Sequence, residues 1–161
     1  MGDHTETVQV DYDPERITYS ELLAIFWQAH NPTGRSWRRQ YMKAVFYHDE
    51  NQRKQATASK IEVEKRIGRS VNTKVAPLRS FTLAEAYHQK YILKQQKDLV
   101  REMMHYYPLH ADFVSSTAVA RLNGYANGYG SRNQLAREIG ALGLSDGGRR
   151  TLMEIVARRG K

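Results

Sequence analysis

A chain of 161 residues with no cysteine excludes disulfides, thiolate metal sites and a thiol nucleophile of its own. With 40% hydrophobic and 26% charged residues it has the make-up of a folded domain carrying a short appendage, and no apolar run approaches the roughly 18 to 20 residues that cross a bilayer. The net charge of +8 admits nucleic acid as a partner, but the basic residues are scattered. Arg35, Arg38 and Arg39 around Trp37 form the one tight group, whereas the run from Arg53 to Arg69 alternates with Glu62 and Glu64, as the wet side of a helix does. Met1-Gly2-Asp3-His4 has neither the basic region nor the apolar run of a signal peptide, so the expected location is the cytoplasm.

In chain order, Thr7 to Tyr12 alternates with period two and predicts a half-buried strand with Val8, Val10 and Tyr12 on one face, ended by Asp13-Pro14. Thr18 followed by Glu21 reads as a capping box, and Leu22, Leu23, Ile25, Phe26 and Trp27 continue as an apolar helical stripe to about Ala29. Asn31-Pro32-Thr33-Gly34 breaks that helix. A second strand fits Met42 to Tyr47, and Asp49 with Gln52 opens a long helix toward Arg69 whose few apolar residues include Ala56, Ile61 and Val63. Val71 to Val75 predicts a third strand closed by Pro77. From Ser80, the spacing of Phe81, Leu83, Ala84, Tyr87 and Tyr91 predicts a helix, with a further helical stretch from Lys97 to Met104 after a break. Strands alternating with helices place the chain in the α+β or α/β class with a small sheet.

After Pro108 the character changes. Asp112 to Leu122 reads as helix, Asn123 to Gly130 as a doubled Asn-Gly-Tyr turn, and Gln134 to Leu142 and Arg149 to Arg158 as two further helices, the last capped by Ser145. The Gly-Tyr repeat lacks a following Lys or Ser/Thr at phosphate-binding spacing, which favours a flexible turn over a ligand loop. The expected organisation is a domain over residues 1–107 and a helical extension over 108–161.

Three groups carry chemical potential. His4-Thr5-Glu6 at the head of the first strand puts His4 and Glu6 on one side by alternation, as an acid/base pair, a metal pair or a solvated strand end. Gln40-Tyr41 follows the basic turn and offers a phenolic donor, or simply packing. Tyr87-His88-Gln89-Lys90-Tyr91, with Glu85 nearby, is a polar and aromatic patch that also fits a helix turning Tyr87 and Tyr91 inward. No zincin pair, nucleotide loop or serine elbow is present.

Taken in order, His4-Thr5-Glu6, Val8-Gln9-Val10-Asp11-Tyr12-Asp13-Pro14, Phe26-Trp27-Gln28-Ala29-His30-Asn31-Pro32, Gln40-Tyr41, Pro77-Leu78 through Phe81, Ala84-Glu85 and Tyr87-His88-Gln89-Lys90-Tyr91 resemble the second half of the peptide methionine sulfoxide reductase A family, over about residues 4 to 93. The resemblance implies a partial ferredoxin-like two-layer α/β sandwich of the α+β class, with a small mixed sheet and a helical C-terminal tail. It implies reduction of methionine S-sulfoxide, free or in proteins, in protein repair after oxidation, with no bound cofactor and with thioredoxin or dithiothreitol as the reductant of an intact relative. Glu6 matches the family acid that protonates the sulfoxide oxygen, and Tyr41 the tyrosine that helps hold it. His4 matches the histidine beside the acid. A carboxyl buried next to aromatic rings has a raised pKa, which suits a proton donor.

The family nucleophile sits in a Gly-Cys-Phe-Trp-Gly motif that this chain lacks. Gly-Thr before the Gln-Tyr pair is replaced by Arg38-Arg39, Arg-Ser after it by Met42-Lys43, and a usual aspartate by Ser36. Some relatives place a recycling cysteine in a Gly-rich C-terminal coil, and Gly124 to Gly130 has none. Only a thiolate moves through a sulfenic acid, so the chain is expected to be a truncated or mis-started reductase, inactive alone. The alternatives are a non-catalytic binding or assembly module on the same scaffold, and a weak basic nucleic-acid binder.

Overall fold

The computed structural model describes residues 4–159, and the chain divides into two compact units, one up to Phe81 and one from Thr82.

In the first unit, helix α1 (Tyr19–Gln28) starts where its cap is complete. The Thr18 hydroxyl accepts the Glu21 N–H at 3.2 Å, and the Glu21 carboxylate accepts the Thr18 N–H at 2.7 Å. Strand β1 (Ala44–Tyr47) leads into helix α2 (Glu50–Ile67), whose N-terminus is capped by Asp49 accepting from Gln52 N–H at 2.8 Å. Gly68 ends α2 at φ 69°, a left-handed conformation that glycine adopts without a Cβ penalty. Strand β2 (Lys74–Pro77) returns parallel to β1 with Ala44 opposite Lys74 and Tyr47 opposite Pro77. A parallel pair needs a crossover, and α2 is that crossover. Leu23 and Trp27 of α1 meet Ala56 and Val63 of α2 and Val71, with Tyr19, Phe26, Val45 and Val75 packed around them. Burial of these side chains, at about 1.5–3 kcal/mol each for the larger ones, holds a sheet of only two strands that would be marginal alone.

The second unit is helical: α3 (Tyr91–Lys94), α4 (Lys97–Tyr106), α5 (His110–Ser115), α6 (Thr117–Ala126), α7 (Arg132–Glu138) and α8 (Asp146–Arg159). Leu93, Leu99 and Met103 share one core with Phe113, Leu122, Leu135, Leu152 and Val156. Leu93 N–H donates to the Asn123 side-chain oxygen at 3.0 Å, tying α3 to α6. Glu102 of α4 accepts the Ser145 N–H and hydroxyl at 2.9 and 2.8 Å, while the Ser145 hydroxyl accepts Gly148 N–H at 3.1 Å, so the expected cap of α8 forms.

The α+β class is the one observed, but the sheet is not mixed. Among the described residues it is two parallel strands. Residues 7–12 form no strand: Val8 is 85% and Val10 58% exposed, and the alternating pattern has no neighbouring strand to pair with. The strand expected from Val71 lies at Lys74–Pro77 instead, because Thr73 and Val71 turn into the core. The helix expected from Ser80 is absent. Residues 78–85 are irregular, Tyr87 and Tyr91 face solvent, and Lys90 at φ 54° interrupts any continuous helix. The stretch from Asp112 is two helices broken at Ser116, which caps α6 by accepting Val119 N–H. Half of the expected turn, Asn123 to Ala126, is the last turn of α6, because burial of Leu122, Tyr125 and Ala126 outweighs the helix cost of Gly124.

Candidate functional site

The first two sequence candidates come together in the first unit. Residues 39–41 form one 3-10 turn, with Tyr41 N–H donating to Arg38 O at 3.2 Å and Met42 N–H to Arg39 O at 3.1 Å. Three hydrogen bonds fasten residues 5 and 6 to this turn. Thr5 hydroxyl donates to Arg39 O at 3.2 Å, Glu6 N–H donates to Gln40 O at 2.9 Å, and Gln40 Nε2 donates to Glu6 Oε1 at 2.6 Å. Glu6 is therefore clasped, backbone and side chain, by the residue next to Tyr41.

Glu6 is exposed, as are His4 and Tyr41, the tyrosine at 54%. The burial among aromatic rings that a protonated carboxyl calls for is not supplied around Glu6 by the described residues. The third candidate group lies in the second unit. There the Tyr87 and His88 rings sit 4.1 Å apart, His88 Nε2 lies 3.7 Å from Glu85, and burial pushes the Lys90 amine below its ordinary value.

The loop that leads into the Gln40–Tyr41 turn is anchored by a set of side chains to which the sequence reading gave no role. His30 follows α1, and its Nδ1 lies 2.8 Å from Phe26 O while its Nε2 lies 2.9 Å from the hydroxyl of Thr73. A carbonyl only accepts, so Nδ1 carries the proton, and in the neutral ring Nε2 accepts from Thr73. Thr73 is fully buried and its carbonyl accepts from Lys60 Nζ at 3.0 Å. Trp27 Nε1 donates to Ser59 Oγ at 3.0 Å, and its ring and that of His30 are 5.8 Å apart.

Beyond His30 the loop is pinned from both sides. Asn31 Oδ1 accepts from Thr33 N–H and hydroxyl, Asn72 N–H donates to Pro32 O at 2.8 Å, and Asn72 Nδ2 donates to Thr33 O at 2.6 Å. Lys43 Nζ donates to Asn31 O at 2.7 Å and to Gly34 O at 3.4 Å. A Cβ on Gly34 would stand 2.7 Å from that ammonium, so only glycine fits there without displacing it. The run Phe26-Trp27-Gln28-Ala29-His30-Asn31-Pro32 is thus the footing of the loop that ends in Tyr41. The clue in the sequence was a histidine directly after an apolar helical stripe and before an Asn-Pro turn.

Among the described residues no three His, Asp or Glu side chains gather where a metal ion could be held, and no helix is long and apolar enough to cross a membrane. The arrangement sets the Glu6 carboxyl against the Gln40 amide, with the exposed Tyr41 next in the chain, polar groups that can hydrogen-bond a ligand.

The sequence model of the family "Peptide methionine sulfoxide reductase" matches residues 1–129. A peptide methionine sulfoxide reductase of Drosophila melanogaster is 40% identical over 148 residues, covering 90% of this chain and 58% of that protein. The enzyme named MsrA in Methanosarcina acetivorans is 38% identical over 99 residues, 57% of this chain and 53% of the relative. Peptide methionine sulfoxide reductase A5 of Oryza sativa subsp. japonica is 35% identical over 132 residues, 78% of this chain and 51% of the relative. The chain thus spans about half the length of the curated relatives it matches, and the likeness runs past the motif-bearing stretch that ends near Leu93. With a family model over most of its length and these relatives in agreement, the chain belongs to the peptide methionine sulfoxide reductase family.

Proposed function

We propose that the Glu6–Tyr41 surface binds the sulfoxide oxygen of methionine S-oxide, free or in a polypeptide, as the oxygen-handling side of a peptide-methionine (S)-S-oxide reductase. The observation that carries this reading is the clasp of Glu6 by Gln40. With Oε1 accepting from Gln40 Nε2 at 2.6 Å, Oε2 has no hydrogen bond among the described residues and is the oxygen open to a ligand. Tyr41, exposed and next to Gln40 in the chain, supplies a second donor. His4 is a positioning neighbour of the acid.

The reaction of the family class transfers oxygen from the sulfoxide sulfur to a thiolate. The S–O bond of the substrate breaks, methionine is released, and the thiolate becomes a sulfenic acid. Two further thiol groups then return the sulfenic acid to thiol, forming a disulfide and water. This 161-residue chain contains no thiol. On this proposal it binds methionine S-oxide but does not turn it over by itself, and thioredoxin or dithiothreitol serves the nucleophile of an intact relative. No bound cofactor is required, and the cytoplasm, where thioredoxin keeps thiols reduced, is the setting of this reading.

Calorimetric titration of the purified chain with methionine S-oxide, its R epimer and methionine tests the proposal. The S-oxide should bind most tightly, and Glu6→Gln or Tyr41→Phe should each weaken it about five- to tenfold, the loss of roughly one hydrogen bond. Equal binding of S-oxide and methionine would refute the oxygen-binding role. Formation of methionine from the S-oxide by this chain with dithiothreitol alone would refute the statement about turnover.

A further inference from the structure

Between Glu21 and Asp49 the sequence holds no carboxylate, while Arg35, Arg38, Arg39 and Lys43 all fall within it. Lys43 is committed to the carbonyls of Asn31 and Gly34. Arg35 and Arg38 are exposed and make no side-chain hydrogen bond or ion pair among the described residues. Between them stands Trp37, 97% exposed and the most exposed large hydrophobic side chain described. Tryptophan and arginine are among the residues most concentrated at the energetic centres of binding surfaces, and here a tryptophan stands between two arginines on a loop with fixed ends. The ends are fixed: Lys43 holds Asn31 and Gly34, the Ser36 hydroxyl donates to Arg38 O at 2.9 Å, and Thr5 holds Arg39 O.

We propose that the loop Arg35-Ser36-Trp37-Arg38 is a docking element that selects polypeptide substrates carrying acidic residues beside the oxidised methionine. Trp37 packs along the peptide, and Arg35 and Arg38 pair with its carboxylates. This deepens, and rests on, the reading of Glu6 and Tyr41 as the oxygen-binding pair. Continuity with that pair favours a polypeptide over a nucleic acid, because the loop runs without a break into Gln40 and Tyr41. Arg38 precedes Tyr41 by three residues across a 3-10 turn, a rise of about 6 Å, which an extended peptide spans in about two residues. The acidic positions read by the loop therefore lie about two to four residues from the methionine once the reach of the arginine side chain is included.

The test uses the full chain and short synthetic peptides with one central methionine S-oxide flanked by Asp, by Ser or by Lys, plus the Asp-flanked peptide with unoxidised methionine and an oligothymidylate. Binding is measured by calorimetry at physiological salt. The Asp-flanked sulfoxide peptide should bind at least about tenfold more tightly than the Lys-flanked one. The double variant Arg35→Ser/Arg38→Ser should abolish that ratio while leaving the affinity for free methionine S-oxide unchanged, with circular dichroism showing that the fold is kept. Trp37→Ser should weaken all peptides alike. Equal affinity for Asp- and Lys-flanked peptides, or a preference that survives loss of both arginines, overturns the docking proposal and leaves the oxygen-binding pair standing. An arginine-dependent preference for acidic peptides that ignores methionine oxidation upholds the loop and sinks the reading of Glu6 and Tyr41. Tighter binding of the oligothymidylate than of the acidic peptide overturns the proposal in favour of a nucleic-acid surface.

Discussion

Replacing His30 by alanine should destabilise the first unit by about 2–4 kcal/mol. The figure is built from what the ring touches. Its Nε2 is the partner of the Thr73 hydroxyl at 2.9 Å, and Thr73 is fully buried, so truncation leaves that hydroxyl unsatisfied at a cost of about 1–3 kcal/mol. The ring also lies 4.5 Å from Phe26 and 5.8 Å from Trp27, contacts of about 1 kcal/mol together for a half-buried ring. Loss of the bond to Phe26 O adds little, because that carbonyl also accepts from Ala29 N–H at 3.2 Å. Urea unfolding followed by tryptophan fluorescence is the assay, since both tryptophans, Trp27 and Trp37, belong to this unit. With a urea slope of about 1 kcal/mol/M for a unit of this size, the midpoint should fall by about 2 M or more. The double variant His30→Ala/Thr73→Val removes the orphaned hydroxyl as well and should cost less than the sum of the single changes. A midpoint shift under about 0.5 M, or full additivity in the cycle, would show that the His30–Thr73 bridge does not hold the loop footing.

Gly130→Ala should cost the second unit about 2–4 kcal/mol, read from the thermal midpoint of the helical circular dichroism signal. Gly130 has φ 83°, and a Cβ there would stand 2.6 Å from the ring of Tyr125, itself only 3% exposed and unable to retreat; an unchanged midpoint refutes this. Tyr125→Phe removes the hydroxyl bond to Glu138, whose carboxylate also pairs with Arg121, and should cost about 1–2 kcal/mol at neutral pH. Burial raises the Tyr125 phenol above its ordinary value, so this contribution is complete below about pH 10 and is lost as pH rises through the raised value. The gap between wild type and variant should therefore close in alkali, and a gap independent of pH would refute the assignment. Glu21 is held below the usual carboxylate range, chiefly by the Thr18 hydroxyl and then by the Thr18 N–H. Its contribution is present above the ordinary carboxylate value and lost as pH falls through the lowered one, so Glu21→Ala and wild type should converge in thermal midpoint in acid.

The parts of the fold legible in the sequence were those fixed by contacts a few residues apart. Thr18 with Glu21, Asp49 with Gln52, and Ser145 marked three helix starts, because each cap closes within one turn and owes nothing to the rest of the chain. Elements that depend on a distant neighbour were not legible. The alternation of Val8, Val10 and Tyr12 names a face without supplying a strand to pair with. The i, i+4 spacing of Tyr87 and Tyr91 fits a helix, but neither ring has a core to enter, and a helix without a buried face does not hold at this length. Gly124 reads as a breaker until the burial of Leu122 before it and of Tyr125 and Ala126 after it is known.

The site follows the same division with one exception that bears on how it works. Residues 5 and 6 form no regular strand, yet they are not loose at the point of interest: two side-chain bonds and one backbone bond cross 34 residues to reach Arg39 and Gln40. Those bonds need no sheet, only the short 3-10 turn, which follows the loop that Lys43 pins at Asn31 and Gly34 and that starts at the His30–Thr73 bridge. Glu6 is held by those bonds and not by strand pairing of residues 7–12. If that chain of support is right, His30→Ala should weaken binding of methionine S-oxide even under conditions where the first unit remains folded, because Gln40 would no longer be held in register with Glu6. A calorimetric titration of the folded variant decides it, and an unchanged affinity would mean that the 3-10 turn keeps its shape without its footing.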